Sequence, residues 1–252
     1  MLPKAAETPF LAAAVLRNPE AMRTFYHAQG YCVVEEALSE AECDELNRTV
    51  EPFLVRQPED EKYKPLMNPD RENPIFAAAV RHTNLVRISE LLLQWKIEAL
   101  QTMYYWKPPG ALGLDLHQDN FYVQSNQDSF ASAWVALDDA DLENGPLIVY
   151  PGSHVEPVLP VHEVPIPLSG RPLYPNARGK ETVVPDKYKP LPLEARKGAA
   201  VLIHGHLIHG SADNHSPRFR RAFLVDYIRQ GAPFVAGRYG KRMRIDVYTS
   251  AS

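Results

Sequence analysis

This sequence of 252 residues contains few cysteines, no long apolar run and no excess of positive charge. Two cysteines, Cys32 and Cys43, are too few for a disulfide framework, so we expect a reducing, cytoplasmic location. No apolar run approaches the ~18 residues of a membrane-spanning helix, so we expect no membrane partner. Acidic residues outnumber basic ones by 31 to 27. Nucleic acids select a basic surface, so no nucleic-acid partner is expected either.

Helix signals dominate the first third of the chain. Asn18 and Pro19 are typical of a helix start, with Pro19 as the first helical residue, and Gly30 is typical of a helix end. Ser39 and Glu42 have the spacing of a capping box, which predicts a second helix after a short strand.

Apolar residues at helical spacing predict a third helix over about residues 84–100. Leu85, Ile88, Leu92 and Trp95 would lie on one face of this helix. Such a face is expected to pack against the rest of the chain.

From about residue 100 the chain changes to short β-branched and aromatic runs separated by turn residues. Runs such as SFASAWVAL, GAAVLIHG and RRAFLVDYI predict the strands of a sandwich or barrel. We therefore predict a mainly β protein with N-terminal helices, forming a single domain over 1–252 with a β core at about 100–230. Residues 155–197 carry nine prolines and little periodicity, which predicts a lid-like insertion or a surface excursion.

A histidine and an aspartate stand two positions apart in LHQDNFYVQ, at His117 and Asp119. Residues two apart on a strand point to the same face, so both can bind one metal ion. Four later histidines are candidates for a third ligand: His204, His206, His209 and His215. Two histidines and a carboxylate suit Fe(II), because they leave coordination positions open, but Zn²⁺ sites use the same ligands. The third ligand and the metal therefore remain open at this point.

Arg220 follows His209 by 11 residues, which would bring the two level on neighbouring antiparallel strands joined by one turn. An arginine near the metal can hold a carboxylate through two parallel hydrogen bonds. A metal with open positions beside such an arginine is what a 2-oxo acid cosubstrate requires.

Five motifs occur in order along the chain: GYCVVEEALSEAECDEL, MYYWKPPG, LHQDNFY, AWVALDDADLENGPLIVYPGSH and HGSADNHSPRFRRAF. Together they resemble the phytanoyl-CoA dioxygenase family of Fe(II)/2-oxoglutarate-dependent oxygenases. The resemblance implies a double-stranded β-helix, that is, a jelly-roll or cupin-like core. It also implies Fe(II) as the metal and 2-oxoglutarate as the cosubstrate.

Carried over position by position, the resemblance implies roles for residues of these motifs. His117, Asp119 and His209 would bind iron. Arg220 would pair with the distal carboxylate of 2-oxoglutarate, and Ser211 would form a hydrogen bond near it.

Three further positions, Gln118, Trp134 and Met103, match cosubstrate contacts of similar proteins. Because Gln118 alternates with the ligands, a regular strand would turn its side chain away from the metal. Trp134 is equally well interpreted as an ordinary core aromatic residue.

The resemblance further implies an enzyme that uses O₂ and 2-oxoglutarate, releases succinate and CO₂, and oxidises an unactivated C–H bond of a small molecule. Tyr104, Tyr105, Asn120 and Tyr122 lie near the metal motif in the sequence and are polar or aromatic. They favour a polar or polycyclic substrate, such as an intermediate of secondary-metabolite biosynthesis. We expect a monomer or a homodimer.

Two other classes of protein stay open. A cupin-like isomerase or lyase would use the same metal ligands without 2-oxoglutarate, and it would not need Arg220 near the metal. A jelly-roll binding module without enzymatic activity would need neither the ordered ligands nor the arginine.

The other polar residues have simpler interpretations. His204 and His206 are predicted to be buried core groups or supports of the site, and His154 is expected to cap a turn. Lys107, in the KPPG turn, is a candidate for contact with substrate or cosubstrate, but a turn lysine is more often solvated, so solvation is the expectation. Arg221 is expected to point to the opposite face of its strand from its neighbour.

Overall fold

The computed structural model describes residues 9–56, 64–165 and 179–249. These ranges contain the helices α1 (Ala12–Arg17), α2 (Glu20–Gln29), α3 (Glu40–Thr49), α4 (Glu51–Arg56), α5 (Pro74–Val80), α6 (Thr83–Leu93) and α7 (Asn120–Val123). Two short 3₁₀ turns lie at Pro69–Arg71 and Ser153–Val155. Within the described residues, no helix is both long and apolar enough to cross a membrane.

The strands are short, and most lie after residue 96. They are β1 (Phe10–Leu11), β2 (Tyr31–Glu35), β3 (Leu66–Met67), β4 (Ile97–Tyr105), β5 (Leu114–His117), β6 (Phe130–Ala136), β7 (Leu147–Val149), β8 (Val161–Glu163), β9 (Lys180–Thr182), β10 (Leu191–Leu193), β11 (Ala200–His204), β12 (His209–Ser211) and β13 (Ala222–Arg229).

These strands form two main sheets and a small hairpin. The larger sheet has seven strands in the order β1-β2-β11-β6-β13-β4-β3, and the smaller has four in the order β10-β7-β12-β5. Strands β8 and β9 pair as a separate hairpin. Buried side chains of both main sheets form one core between them, so the sheets face each other as in a jelly roll. The predicted mainly β fold with N-terminal helices and a jelly-roll core is confirmed.

Alternation along the strands gives the larger sheet two different buried faces. On β13, Phe223, Val225 and Tyr227 pack in the core shared with the N-terminal helices, whereas Ala222 and Leu224 belong to the core between the sheets. The helical third therefore covers one face of the larger sheet. The other face is left for the smaller sheet and for the site described below.

Two of the predicted helix signals act as expected. Gly30 ends α2 with a left-handed φ of 80°, and its N–H donates to Tyr26 O at 2.7 Å. Ser39 and Glu42 form the predicted capping box, with Ser39 N donating to Glu42 Oε2 at 2.8 Å. The predicted start of α2 is one residue early, because Pro19 is its N-cap and not its first helical residue.

The third helix is shorter than the predicted range of about 84–100. It ends at Leu93, where Gln94 adopts a left-handed φ of 52°, and Trp95 is 61% exposed instead of lying on the buried face. The chain from Ile97 onwards forms β4, which pairs with β13 along its whole length. Pairing with a distant strand overrides the local helical periodicity here.

The proline-rich stretch at 155–197 is not one continuous excursion. Its last part contains β10, whose residues Leu191–Leu193 pair with β7 in the smaller sheet. An earlier part forms the β8–β9 hairpin, and residues 166–178 lie outside the described residues. The predicted insertion and its lid-like role stay predictions, as does the single-domain division.

Replacing Gly30 with alanine is expected to lower the free energy of unfolding by about 2–5 kcal/mol. Left-handed backbone costs a residue with a Cβ about 1–2 kcal/mol, and overpacking adds about 1–3 kcal/mol. The added Cβ would lie 2.5 Å from His154 Nδ1. Gly110→Ala is the matched control, because Gly110 has a φ of +78° and nothing within 4 Å of the added Cβ. Both variants would be measured by urea unfolding. Equal losses of unfolding free energy in Gly30→Ala and Gly110→Ala would contradict the packing argument.

Candidate functional site

The His-x-Asp motif and the distal histidine meet at one end of the smaller sheet. His117 is the last residue of β5, His209 is the first residue of β12, and the two are paired across these strands. Asp119 follows the end of β5 as the N-cap of α7, with helical φ and ψ of −58° and −34°. One ligand atom from each of the three residues lies within 4.8 Å of the others. The ligands converge because the strand ends and the chain turns, not because β5 continues through Asp119.

Both histidine rings are held by backbone carbonyls. His117 Nδ1 lies 2.8 Å from Asp115 O, and His209 Nδ1 lies 3.0 Å from Leu207 O. A carbonyl only accepts hydrogen bonds, so each Nδ1 carries a proton and each Nε2 is directed away from these carbonyls. These Nε2 atoms lie 3.4 Å (His117) and 3.7 Å (His209) from the carboxylate of Asp119. The rings are therefore oriented to present their Nε2 atoms as ligands.

Asp119 is kept ionised by its surroundings. Burial by itself raises the pKa of this carboxyl, but His209, His117 and a hydrogen bond from Ser132 together hold its pKa well below the usual range. The Ser132 hydroxyl donates to Asp119 Oδ2 at 2.8 Å and also lies 3.0 Å from Asp226 Oδ1. The sequence interpretation missed Ser132, although it stands two residues before Trp134 and so shares its strand face.

The donor set fits a divalent transition metal. Two imidazole nitrogens and one carboxylate oxygen are ligands that Fe(II) and Zn²⁺ both accept, and three protein ligands leave positions for other groups. The structure thus brings together His117, Asp119 and His209, and it places His204, His206 and His215 elsewhere.

Arg220 lies in the same cavity as the three ligands. This cavity has a volume of about 30 Å³, and the ligands, Ser211, Trp134 and Arg220 all line it. Arg220 is 3% exposed, and its Nε donates to Gly145 O at 3.1 Å. Its guanidinium carbon lies 5.3 Å from the centre of the Trp134 ring. Burial lowers the pKa of Arg220 to about 10, so the side chain remains a cation at neutral pH.

Apolar side chains form most of the remaining wall of the cavity. They are Tyr105, Leu114, Leu147, Ile203 and Leu224. Of these, only Tyr105 had been singled out from the sequence. Its neighbour Tyr104 faces the opposite side of β4, where its hydroxyl donates to Asn47 Oδ1 at 2.7 Å. The expectation that Tyr104 lies near the substrate was therefore wrong.

Gln118 does not turn its side chain into this cavity. Its Nε2 donates to His206 O at 2.8 Å and to Pro157 O at 3.1 Å, and its Oε1 accepts from Leu159 N at 2.7 Å. The Gln118 carboxamide thus hydrogen-bonds the chain that follows Ser153–Val155 to the segment that carries His117 and Asp119. The implied cosubstrate contact of Gln118 is not met by this geometry, because the chain turns after His117 and the carboxamide bonds to backbone groups outside the cavity.

Met103 lies on the same face of β4 as Tyr105 but is not part of the cavity wall. Its Sδ accepts a hydrogen bond from the Tyr105 hydroxyl at 3.0 Å, and its side chain packs against the core between the sheets. Met103 therefore supports a wall residue. A direct role in cosubstrate binding stays a prediction for Met103, as it does for Trp134.

The buried histidines around the site have structural partners. His206 lies 2.6 Å from Asn120 Nδ2 through Nε2, and His204 lies 3.2 Å from Asp128 through its own Nε2. His154 does not simply cap a turn, because its Nε2 contacts His27 O at 3.1 Å. These contacts hold α7 and its surroundings in place behind the metal ligands.

The protein is expected to lose stability as the pH falls below about 6.5, the ordinary histidine pKa. Burial lowers the pKa of His154 and of His204, so the folded state binds fewer protons than the unfolded state below that pH. Stability must then decrease as protons are added. Urea midpoints at pH 7.5 and 5.0 would test this, with His204→Gln expected to weaken the pH dependence. His162→Gln, at a side chain that is 53% exposed, is the control, and equal slopes in all three proteins would contradict the prediction.

Comparison with known proteins gives matches over most of the chain. The family model described as "Phytanoyl-CoA dioxygenase (PhyH)" matches residues 26–222. A curated relative from Danio rerio, phytanoyl-CoA dioxygenase domain-containing protein 1, is 35% identical over 152 residues, which are 60% of this chain and 51% of the relative. The chain spans about half the length of the curated relatives it matches.

Two solved structures from nogalamycin biosynthesis share the fold. The carbocyclase SnoK has a TM-score of 0.71 at 22% identity, with 92% of this chain and 91% of that chain covered. The epimerase SnoN, in complex with Fe³⁺, α-ketoglutarate and nogalamycin RO, has a TM-score of 0.71 at 16% identity, with 88% and 86% covered. At this identity the likeness shows the fold alone. The match to the family model covers more than half of the chain, and on that ground the chain belongs to the phytanoyl-CoA dioxygenase (PhyH) family.

Proposed function

We propose that the chain is a non-haem Fe(II)- and 2-oxoglutarate-dependent oxygenase that oxidises an unactivated C–H bond of a small molecule. The observation that carries the proposal is one shared cavity, which contains the three metal ligands together with the buried cation Arg220. An anionic cosubstrate that also binds a metal would use both parts of such a site.

Each residue of the cavity has a defined task in this proposal. His117, Asp119 and His209 would hold the iron. With 2-oxoglutarate and O₂ bound, the iron would supply the oxidising power for C–H cleavage, and 2-oxoglutarate would be converted to succinate and CO₂. Arg220 would hold the distal carboxylate of 2-oxoglutarate, with Ser211 donating beside it. The apolar wall would exclude water from the reacting groups.

The burial of Arg220 favours this function over the cupin-like isomerase or lyase. Among the residues that the structure describes, no carboxylate forms an ion pair with Arg220. A buried cation without an anionic partner is costly, and a bound carboxylate removes that cost. An isomerase or lyase without an anionic cosubstrate, or a binding module, gives no reason for such an arginine.

A row of polar groups runs from Asp119 towards the end of β13 that lies farther from Arg220. Ser132 connects the Asp119 carboxylate to Asp226, which is 3% exposed. Asp226 is paired across the sheet with Gln101, which is 2% exposed. These buried polar side chains connect the metal site to the far end of the larger sheet.

Several polar atoms at the end of this row have no hydrogen-bond partner among the described residues. They are Gln101 Oε1, Asn68 Oδ1 and Arg242 Nε. All three side chains surround Gly240: Asn68 Nδ2 donates to Gly240 O at 3.0 Å, and a Cβ on Gly240 would lie 2.5 Å from Gln101 Oε1. We propose that hydroxyl or amino groups of a polar, secondary-metabolite-like substrate are recognised here. The two nogalamycin enzymes of similar fold act in the biosynthesis of such a compound and support this class.

An anaerobic titration of the Fe(II)-loaded protein with 2-oxoglutarate tests the proposed function. We expect a weak visible metal-to-ligand charge-transfer band to appear, followed by succinate formation when O₂ is admitted. Binding of iron without a band would remove the cosubstrate from the proposal and favour the cupin-like enzyme. Failure to bind any divalent metal would favour the binding module.

A further inference from the structure

The lysine of the KPPG turn is fully buried. Lys107 is 0% exposed, although a solvated side chain was expected at this turn. Its Nζ donates to Ser211 Oγ at 2.8 Å and also to Ala212 O. The lysine therefore lies directly behind a residue that lines the metal cavity.

Lys107 stands opposite Arg220 just beyond the paired ends of β4 and β13. Tyr105 of β4 is paired with Ala222 of β13, and the ladder continues as Arg220 N donates to Lys107 O at 2.9 Å. Alternation places the Lys107 side chain on the face of Tyr105 and the Arg220 side chain on the face of Ala222, which is the space between the sheets. Like charges directly opposite each other destabilise a sheet unless something compensates them.

A single glycine holds both cations in place. Gly145 O accepts from Arg220 Nε at 3.1 Å. Gly145 has a φ of +87°, and a Cβ there would lie 2.7 Å from Lys107 Cδ and 3.0 Å from Lys107 Nζ. The two side chains are thus packed against one residue and have little room to separate. Burial, and then Arg220, hold the pKa of Lys107 well below its usual range, while Asp213 acts in the opposite direction.

The contact with Lys107 also determines how Ser211 can bond. Ser211 Oγ accepts from Lys107 Nζ at 2.8 Å and from Leu114 N at 3.1 Å. A hydroxyl oxygen has two lone pairs, and both are used by these donors. The hydroxyl hydrogen of Ser211 is therefore available only as a donor, at a residue that lines the cavity. Such a site favours a group that accepts hydrogen bonds.

We propose that Lys107 is a positioning residue for the distal carboxylate of the 2-oxo acid cosubstrate. Through Ser211 it fixes a hydroxyl donor towards the carboxylate, and its protonated form would place a second cation beside Arg220 behind the cavity wall. This inference rests on the proposed function, because it takes 2-oxoglutarate as the occupant. It adds to the arginine a second residue that selects a dicarboxylate over a monocarboxylate.

Binding of two 2-oxo acids to the Mn(II)-loaded protein, measured by calorimetry, tests the proposal without turnover. The pair is 2-oxoglutarate and 2-oxopentanoate, which has the same chain length but lacks the distal carboxylate. We expect Lys107→Met to weaken 2-oxoglutarate binding by about 10- to 100-fold, as loss of a charge-assisted contact does. Binding of 2-oxopentanoate should change by less than about threefold, because the lysine has no carboxylate to act on.

The control is Lys96→Met, the same substitution at an exposed position just before the other end of β4. It should bind both acids as the wild type does. Equal weakening of both acids by Lys107→Met would overturn the proposal in favour of a purely structural lysine, and unchanged binding of both acids would overturn it outright. A wild type that binds 2-oxoglutarate no more tightly than 2-oxopentanoate would instead overturn the proposed function itself.

A second variant keeps the test decisive if Lys107→Met does not fold. Ser211→Ala removes the hydroxyl that Lys107 orients and leaves the lysine in place. It should weaken 2-oxoglutarate binding by about 3- to 30-fold and leave 2-oxopentanoate nearly unchanged. If Ser211→Ala bound each of the two acids with the same affinity as the wild type, the positioning role of Lys107 would be overturned.

Discussion

Replacing Asp119 with alanine is expected to weaken Fe(II) binding by more than about 100-fold, since changes to groups that only support a ligand already cost about 10- to 100-fold. Asp119 is the one carboxylate of the ligand set and supplies its only negative charge. Without it, two neutral imidazoles remain, and their affinity for iron is low. Oxygen-dependent succinate formation should disappear together with the metal.

Asp115→Ala provides the matched control for that prediction. Asp115 stands two residues before His117, as Asp119 stands two residues after it, but its carboxylate accepts from Gly179 N at 2.9 Å. The Asp115 variant should keep its iron. Retention of one iron per chain by Asp119→Ala, measured by metal analysis after dialysis, would remove Asp119 from the ligand set.

Replacing Arg220 with methionine is expected to weaken 2-oxoglutarate binding by about 100-fold, the loss typical of a buried, charge-assisted pair. Iron binding should be unchanged, because Arg220 is not among the ligands. The fold should not be weakened, since an apolar side chain of similar length replaces a buried charge without a carboxylate partner. Anaerobic titration of the iron-loaded variant and thermal unfolding of the same sample would measure both quantities.

The neighbouring residue is the control for Arg220. Arg221 points to the opposite face of the chain, as predicted, and its guanidinium pairs with Asp138 at 2.7 Å. Arg221→Met removes the same charge one position away and should leave 2-oxoglutarate binding within about threefold of the wild type, as expected for a partly exposed pair. If both variants lost affinity equally, general electrostatics and not a specific contact would explain the effect.

Much of the site followed from residue order, because its residues stand near strand ends in recognisable motifs. The spacing predicted His117 and Asp119, the resemblance implied His209 as the third ligand, and the three lie together in the structure. The interpretation was least accurate where strand alternation decides the outcome. Tyr104 and Tyr105 are adjacent in the sequence, but only Tyr105 faces the cavity.

Lys107 shows why local sequence was insufficient at the other end of the site. A lysine before two prolines has the composition of a solvated turn. Its burial arises because β4 pairs with β13, a strand more than 100 residues later, and because Gly145 and Ser211 close around it. No local pattern contains that information.

By itself, the sequence determined the helical signals at Gly30 and Ser39, the strand-rich class and the chemical identity of the metal ligands. These depend on local backbone preferences and on the donor atoms that each side chain carries. Only the tertiary structure decided that the third helix stops at Leu93, that Gln118 turns away from the cavity, and that Lys107 faces Arg220. The first and the last of these outcomes depend on pairing between distant strands, and the second depends on the turn of the chain where β5 ends, so no local pattern contains them.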